Sequence, residues 1–220
     1  GSAEVQIAPD EVIFSLDVTN VDMDLQKAKA MNDETVSKVL ALAKRFSVLP
    51  QDVKTDYISL DKEFEYFRDK DNKIYDEDGD EISKKTFKGY KISKTVIVRL
   101  KDISRFEEFF SEVLKSGITE VDSVKFETSK LRELKDKARE LAMKAAYEKA
   151  RAMAGAIGQT IGKAISIVEG DSVNRGYSLS NVSSNTRVTD GNFSQSESVA
   201  TFAPGAIKVE ASVKVSFLLN

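Results

Sequence analysis

From Ile207 to Leu219 every second residue is apolar. Ile207, Val209, Ala211, Val213, Val215, Phe217 and Leu219 alternate with Lys208, Glu210, Ser212, Lys214 and Ser216. A side-chain period of two belongs to a strand with one face turned inward and one toward water. A strand of this kind needs paired neighbours and a layer over its apolar face. The rest of the chain must supply both, and its periodicities show how.

Val12, Phe14, Leu16 and Val18 alternate with Ser15, Asp17 and Thr19, which predicts a half-buried strand. A helical period follows in Leu25, Ala28, Val36, Val39, Leu40 and Ala43, starting at Asp22 or Asp24 and stopping before Pro50. Asn32 falls on that apolar stripe and reads as a buried amide bonded to neighbouring backbone. Two more alternating runs, Val53 to Arg68 and Thr86 to Leu100, flank a very polar stretch containing Asp78-Gly79, a pair that favours a type I′ turn. Residues 56 to 100 therefore read as one long β-ribbon, with Ile58, Leu60, Phe64 and Tyr66 on one face.

Ser104 to Leu114 predicts a short helix capped by Gly117, and Val121 to Thr128 a strand. The longest element runs from about Ser129 to Ile157, with the stripe Leu131, Leu134, Ala138, Leu141, Ala142, Ala145, Met153, Ala156, Ile157 and a cap at Gly158. Ile161 to Glu169 is a further strand, and residues 170 to 204 form a Ser/Asn-rich loop. The order is β-α-β-β-α-β-α-β-β. Strands come in hairpins and helices singly, so the fold class is α+β, with antiparallel sheets covered by helices on one face.

Composition removes several chemistries. With no Cys and no His in 220 residues, the chain cannot build a Ser-His-Asp triad, a Cys nucleophile or a Cys/His zinc site. A net charge of -3 argues against a nucleic-acid binder. A chain of this length buries a core without staples, so the lack of Cys fits an oxidising envelope and the cytosol equally. No run reaches the roughly 18 apolar residues that span a bilayer. The start at Gly1-Ser2 without Met reads as a cleavage scar, with a natural leader removed.

The local motifs fail on inspection. Gly162-Lys163 imitates a phosphate loop, but Ile157 stands where the first glycine belongs and Ala164 where the hydroxyl belongs. Asp76, Asp78 and Asp80 imitate a calcium loop, but its sixth and twelfth positions hold Glu81 and Phe87. Ser59 and Lys62 have the spacing of a nucleophile pair, but on a strand they point to opposite faces. No residue pattern calls for a cofactor or a metal.

Charge layout is more informative. From Asp61 to Glu81 ten acidic residues face four basic ones, whereas from Lys130 to Arg151 eight basic residues face four acidic ones. An acidic ribbon and a basic rod are complementary. The ribbon tip (Asp76, Glu77, Asp78, Asp80, Glu81) and the helix residues Lys135, Lys137 and Arg139 are the candidate subunit contacts. A head-to-tail contact of this kind builds a ring or a filament. Docking of the basic helix on anionic lipid is weakened by its interspersed acids.

Taken in order, several segments form a series. Pro9-Asp10-Glu11-Val12-Ile13-Phe14-Ser15-Leu16-Asp17-Val18 precedes the helix carrying Ala28, Ala30 and Asn32. Asp52 to Ser59, Gly89 to Ser93, Val96 to Val98, Gly117-Ile118 and Val124 to Phe126 follow. Ala138-Arg139 leads through Ala150 to Ala154 to Gly158-Gln159-Thr160-Ile161-Gly162. This series resembles the SIMPL-domain family, which includes periplasmic and outer-membrane antigens and an oxidative-stress defence protein. The resemblance runs from about residue 5 to 219. It implies a single α+β domain there, a bacterial periplasm or envelope location, homo-oligomers, some ring- or channel-like, and a stress-related role. It brings no catalytic motif. The charged insert at 69–85 and the loop at 170–204 are departures from it.

The sequence thus points first to a non-enzymatic, self-assembling envelope protein whose partner is itself. A binder of a small ligand or peptide in a groove between sheet and helices is the second reading. An enzyme with a carboxylate site is the third.

Overall fold

Alternation begins earlier than Val12. Ala3, Val5 and Ile7 alternate with Ser2, Glu4 and Gln6, and these residues form a strand, β1 (Ser2–Ile7), that the sequence reading omits. The structure is a computed structural model and describes residues 1–67, 74–75, 81–82, 84–170 and 204–220. It divides into two units, one of Glu11–Phe126 and one of Gly1–Asp10 with Glu127–Asn220.

In the Glu11–Phe126 unit, β2 (Glu11–Asp22) leads into α1 (Leu25–Arg45). A 3-10 turn (Pro50–Asp52) then opens β3 (Val53–Phe67). Two-residue strands β4 (Ile74–Tyr75) and β5 (Glu81–Ile82) pair with each other, and β6 (Lys84–Leu100) returns along β3. A second 3-10 turn (Ile103–Arg105) opens α2 (Phe106–Lys115), and β7 (Glu120–Glu127) closes the unit. The sheet order is β3-β6-β2-β7. Strand β6 runs antiparallel between β2 and β3, which splits the β2-α1-β3 crossover. The ribbon predicted over 56 to 100 is present in its two arms, Val53–Phe67 paired antiparallel with Lys84–Val98, while the Asp78-Gly79 turn lies outside the described residues.

One face of β2 carries this core. Val12, Phe14, Leu16 and Val18 are buried, opposite Leu100, Val98, Val96 and Lys94 of β6. The Phe14 ring meets Phe109 of α2 at 4.9 Å and stacks on Phe106 at 5.6 Å. Phe109 meets Phe46, just past the end of α1, edge-on at 5.1 Å. Both helices therefore lie on one side of the sheet. Asn32 is fully buried where α1 crosses it. Its amide nitrogen donates to Val18 O of β2 (2.8 Å) and to Ile92 O of β6 (3.2 Å), so one side chain ties the helix to two strands. That is the buried amide the stripe predicted.

Helix ends follow their capping residues. The Asp24 carboxylate accepts from Gln26 N and Lys27 N at the start of α1. At its end, Val48 N donates to Ala43 O and Ser47 N to Lys44 O, closing the chain in a Schellman turn. Ser47 sits there with φ 59°, a conformation glycine adopts at lower cost. In β6, Gly89 has φ +142°, and a Cβ there would lie 2.5 Å from Asp22 O.

The other unit builds its layers from α3 (Leu131–Ala156), β8 (Ile161–Glu169) and β9 (Ile207–Leu219). The sheet order is β1-β9-β8, antiparallel throughout. The 207–219 strand is therefore central. Its inner residues Ile207, Val209, Ala211 and Val213 pack on Leu134, Ala138, Ala142 and Ala146 of α3. Alanines at every fourth position form a low ridge that admits the strand closely. The second half of the predicted stripe does not hold. Leu141, Met153 and Ile157 are exposed because the buried row advances four residues per step and turns away from them. Of the predicted loop at 170–204, all but its end residues lie outside the described residues.

Two outcomes are expected from denaturant unfolding. Asn32→Ala strands two buried carbonyls and should lower stability by about 2 kcal/mol, read as a fall in the urea midpoint without a change of slope. Ser47→Gly relieves the positive φ and should raise stability by about 0.5–1 kcal/mol.

Candidate functional site

Several charged side chains are engaged in surface and half-buried pairs. Asp33 accepts from Lys29 on its own helix and from Lys94 on β6. Glu11, buried at the start of β2, pairs with Arg99. Asp10 accepts from Ser129 N at 2.7 Å and Ser129 Oγ at 2.8 Å, fixing the approach to α3. Hydrogen bonds from Lys29 and Lys94 hold the Asp33 carboxyl below its ordinary value of 3.8. Bonds from Arg45 and Lys115 do the same for Glu112. For Asp10, burial raises the value, but the Ser129 bonds prevail and the net shift is downward. Bonds to Glu169 and Asp136 raise Arg139. Each of these shifts favours the charged form, the opposite of what a carboxyl serving as a general acid near neutral pH needs. Among the described residues no group of three or more acidic side chains is placed to hold a metal.

The candidate contact residues fall in two groups. Lys135, Lys137 and Arg139 are all exposed on α3, with Lys135 and Lys137 on opposite flanks of its buried row. The Arg139 guanidinium is shared between Glu169 Oε1 on β8 (2.6 Å) and Asp136 Oδ1 (2.9 Å). Asp76, Glu77, Asp78 and Asp80 lie outside the described residues, and Glu81 is placed only as backbone in β5. The ribbon-tip half of the candidate contact therefore lies outside the described residues, Glu81 of β5 apart.

A feature that sequence reasoning missed is the state of the sheet edges. Strand β3 ends one sheet and β8 the other. On β3, Tyr57, Ile58 and Leu60 are exposed, and α1 covers β2 and β6 rather than this strand. On β8, Ile165, Ile167 and Val168 are 65%, 60% and 54% exposed. Among the described residues no strand pairs with the outer side of β3 or β8, and an open edge of this kind is a template for another strand. The signal in the sequence was the run Ala164-Ile165-Ser166-Ile167-Val168, but edge or centre is decided by pairing far along the chain.

The whole-chain pattern matches the family described as SIMPL, protein of unknown function (DUF541), over residues 1–217. The chain belongs to the SIMPL family. It is 28% identical over 167 residues to the uncharacterized protein YggE of Edwardsiella ictaluri, covering 76% of this chain and 64% of that one. It is 25% identical to YggE of Escherichia coli K12 over 76% of this chain and 62% of the relative. It is 24% identical to the 26 kDa periplasmic immunogenic protein of Brucella melitensis, over 77% and 64%. The match thus spans less than two thirds of these relatives' length. The α+β architecture is the one that the family resemblance implies.

The lowered carboxyl values set the acid response. A carboxyl depressed in the folded state stabilises above its unfolded value, and that contribution is lost as pH falls through the folded value. The urea midpoint should hold steady down to about pH 4.5 and decline below about pH 4. Asp33→Asn should be less stable at neutral pH, with the gap from the parent closing as the pH drops through that range.

Proposed function

We propose that this chain is a non-enzymatic protein of the bacterial envelope that works as an assembly of its own copies. The observation that carries this reading is the pair of sheet edges, β3 and β8, that present apolar side chains to solvent. A protein that works alone usually blunts such edges with charge or proline, or covers them. The name of the Brucella relatives supports a periplasmic setting. The stress-related role implied by the family resemblance belongs to the same reading.

The partner in this proposal is a second copy; the acidic balance of the chain argues against nucleic acid. The acidic ribbon around residues 61–81 meets the exposed Lys135 and Lys137 of a neighbouring copy in a head-to-tail contact. Arg139 contributes little to it, because Glu169 and Asp136 already hold it.

Light scattering after size exclusion tests this. At low salt the mass should exceed the 24.4 kDa of one chain, and it should fall as salt screens the ribbon-to-helix contact. Lys135→Glu with Lys137→Glu should reproduce the effect of salt. A mass of one chain at both salts would overturn the proposal.

A further inference from the structure

The unit built on β9 has one end without acid. From Lys149 to Val168, through the last two turns of α3 and all but the last residue of β8, there are three basic residues and no Asp or Glu. From Ala211 to Asn220, at the end of β9, there is Lys214 and again no acid. The two stretches meet. Thr160 and Asn220 exchange backbone hydrogen bonds of 3.0 and 2.9 Å, and Ile161 is registered against Leu219. Elsewhere in this unit Arg139 is held by Glu169 and Asp136, and Lys208 by Glu4. Among the described residues, Lys149, Arg151, Lys163 and Lys214 are exposed and make no ion pair.

The same end is apolar. Met153 and Ile157 are 65% and 68% exposed, and Leu218 and Leu219 are 50% and 53% exposed. Lys149, Met153 and Ile157 follow one another at intervals of four, so they form one stripe down the end of α3. The sheet leaves that stripe bare, because the buried row of α3 has turned to Ala154. Strand β1 also stops short. Its last partner on β9 is Ser212, and Gly1 O accepts from Val213 N, so beyond Val213 no described strand pairs with that side of β9. Lys214 and Leu218 lie on the sheet face away from α3, so the patch wraps the end of the unit.

Exposed apolar residues gathered on one surface mark a site for a protein or a membrane. Two such ends brought together would set like charges against each other. A bilayer surface offers phosphate at the rim and acyl chain beneath it, which matches both sets of side chains. No helix among the described residues is long and apolar enough to cross a bilayer, so the contact is with its surface.

We infer that this end of the unit docks on the surface of an anionic lipid bilayer. Met153, Ile157, Leu218 and Leu219 enter the boundary of headgroups and acyl chains, and the four cations lie among the phosphates. Binding strength follows the apolar area buried plus the attraction to anionic lipid, so both sets contribute. Docking of α3 along its length is a different contact, in which Glu133, Asp136, Glu140 and Glu148 intervene. The end-on contact does not rest on self-assembly and uses neither the ribbon nor Lys135 and Lys137.

The chain has no Trp, so Ile157→Trp gives the full chain a single reporter. With vesicles of phosphatidylcholine and phosphatidylglycerol, its emission should move to the blue and be quenched by bromine-labelled acyl chains. Leu141→Trp, exposed about 24 Å earlier on the same helix, should show no shift, since interfacial burial reaches only about 5–10 Å. In cosedimentation, vesicles of phosphatidylcholine alone should bind the parent at least about tenfold more weakly. Lys149→Glu with Arg151→Glu, and Met153→Ser with Ile157→Ser, should each cost about as much, with the urea midpoint unchanged. Lys135→Glu with Lys137→Glu should leave vesicle binding as it is. Absence of binding to the anionic vesicles would overturn the inference, and so would an equal shift at position 141. Blue emission at position 157 in a monomer without vesicles would overturn it too, by showing the end covered by the rest of the chain. A parent that ignores vesicles but loses solution mass on Met153→Ser with Ile157→Ser would assign the end to a contact between copies instead. Self-assembly is read from solution mass, so the two proposals fail separately.

Discussion

The central place of β9 determines the rest of its unit. Strand β9 hydrogen-bonds β1 on one side and β8 on the other, and its inner face is filled by the alanine ridge of α3. Once β9 is flanked twice and covered, every further strand in that sheet can only be an edge. The first residues of the chain reach it across a long sequence separation, with Ile7 opposite Ile207. The Gly1 amino group also donates to Val213 O. Long-range pairing of this kind comes late in folding, since closing so large a loop carries its entropy before any contact offsets it. The helix, whose contacts are local, is available earlier as the surface on which β9 docks.

The other unit depends on a polar group in the same central role. Asn32 lies where α1 crosses β2 and β6, and its amide nitrogen holds a carbonyl on each. A hydrocarbon at that place would pack, but it would not fix which residue of the helix lies over which residue of the strands. The aromatic group around Phe14 supplies the area, and Asn32 supplies the register.

Local patterns were legible in the sequence and neighbours were not. The alternation at 12–18, 86–100 and 207–219 predicted strands that exist, and Asp24, Gly117 and Gly158 mark helix ends as expected. Asn32 was readable because a polar residue on an apolar stripe has few satisfactory environments. The β1 strand is also written in alternation, at Ala3, Val5 and Ile7, but so short a run does not by itself distinguish a strand from an extended terminus. The exposure of Ile58 and Leu60 was not readable: alternation reports that a face is apolar and does not report whether a helix covers it. The burial of Ala146 rather than Leu141 or Met153 was hidden for a related reason. A helix crossing a twisted sheet buries a row that drifts, and its drift depends on the sheet.

The proposed contact between ribbon and helix has a structural consequence. A head-to-tail contact repeats one rotation, so by itself it yields a ring or an open filament. Which of the two forms depends on whether that rotation closes after a whole number of copies. The contact is an encounter of exposed charges, so its strength follows the Debye length, about 8–10 Å at physiological salt. An assembly held in this way is large in dilute salt and comes apart copy by copy as the charges are screened.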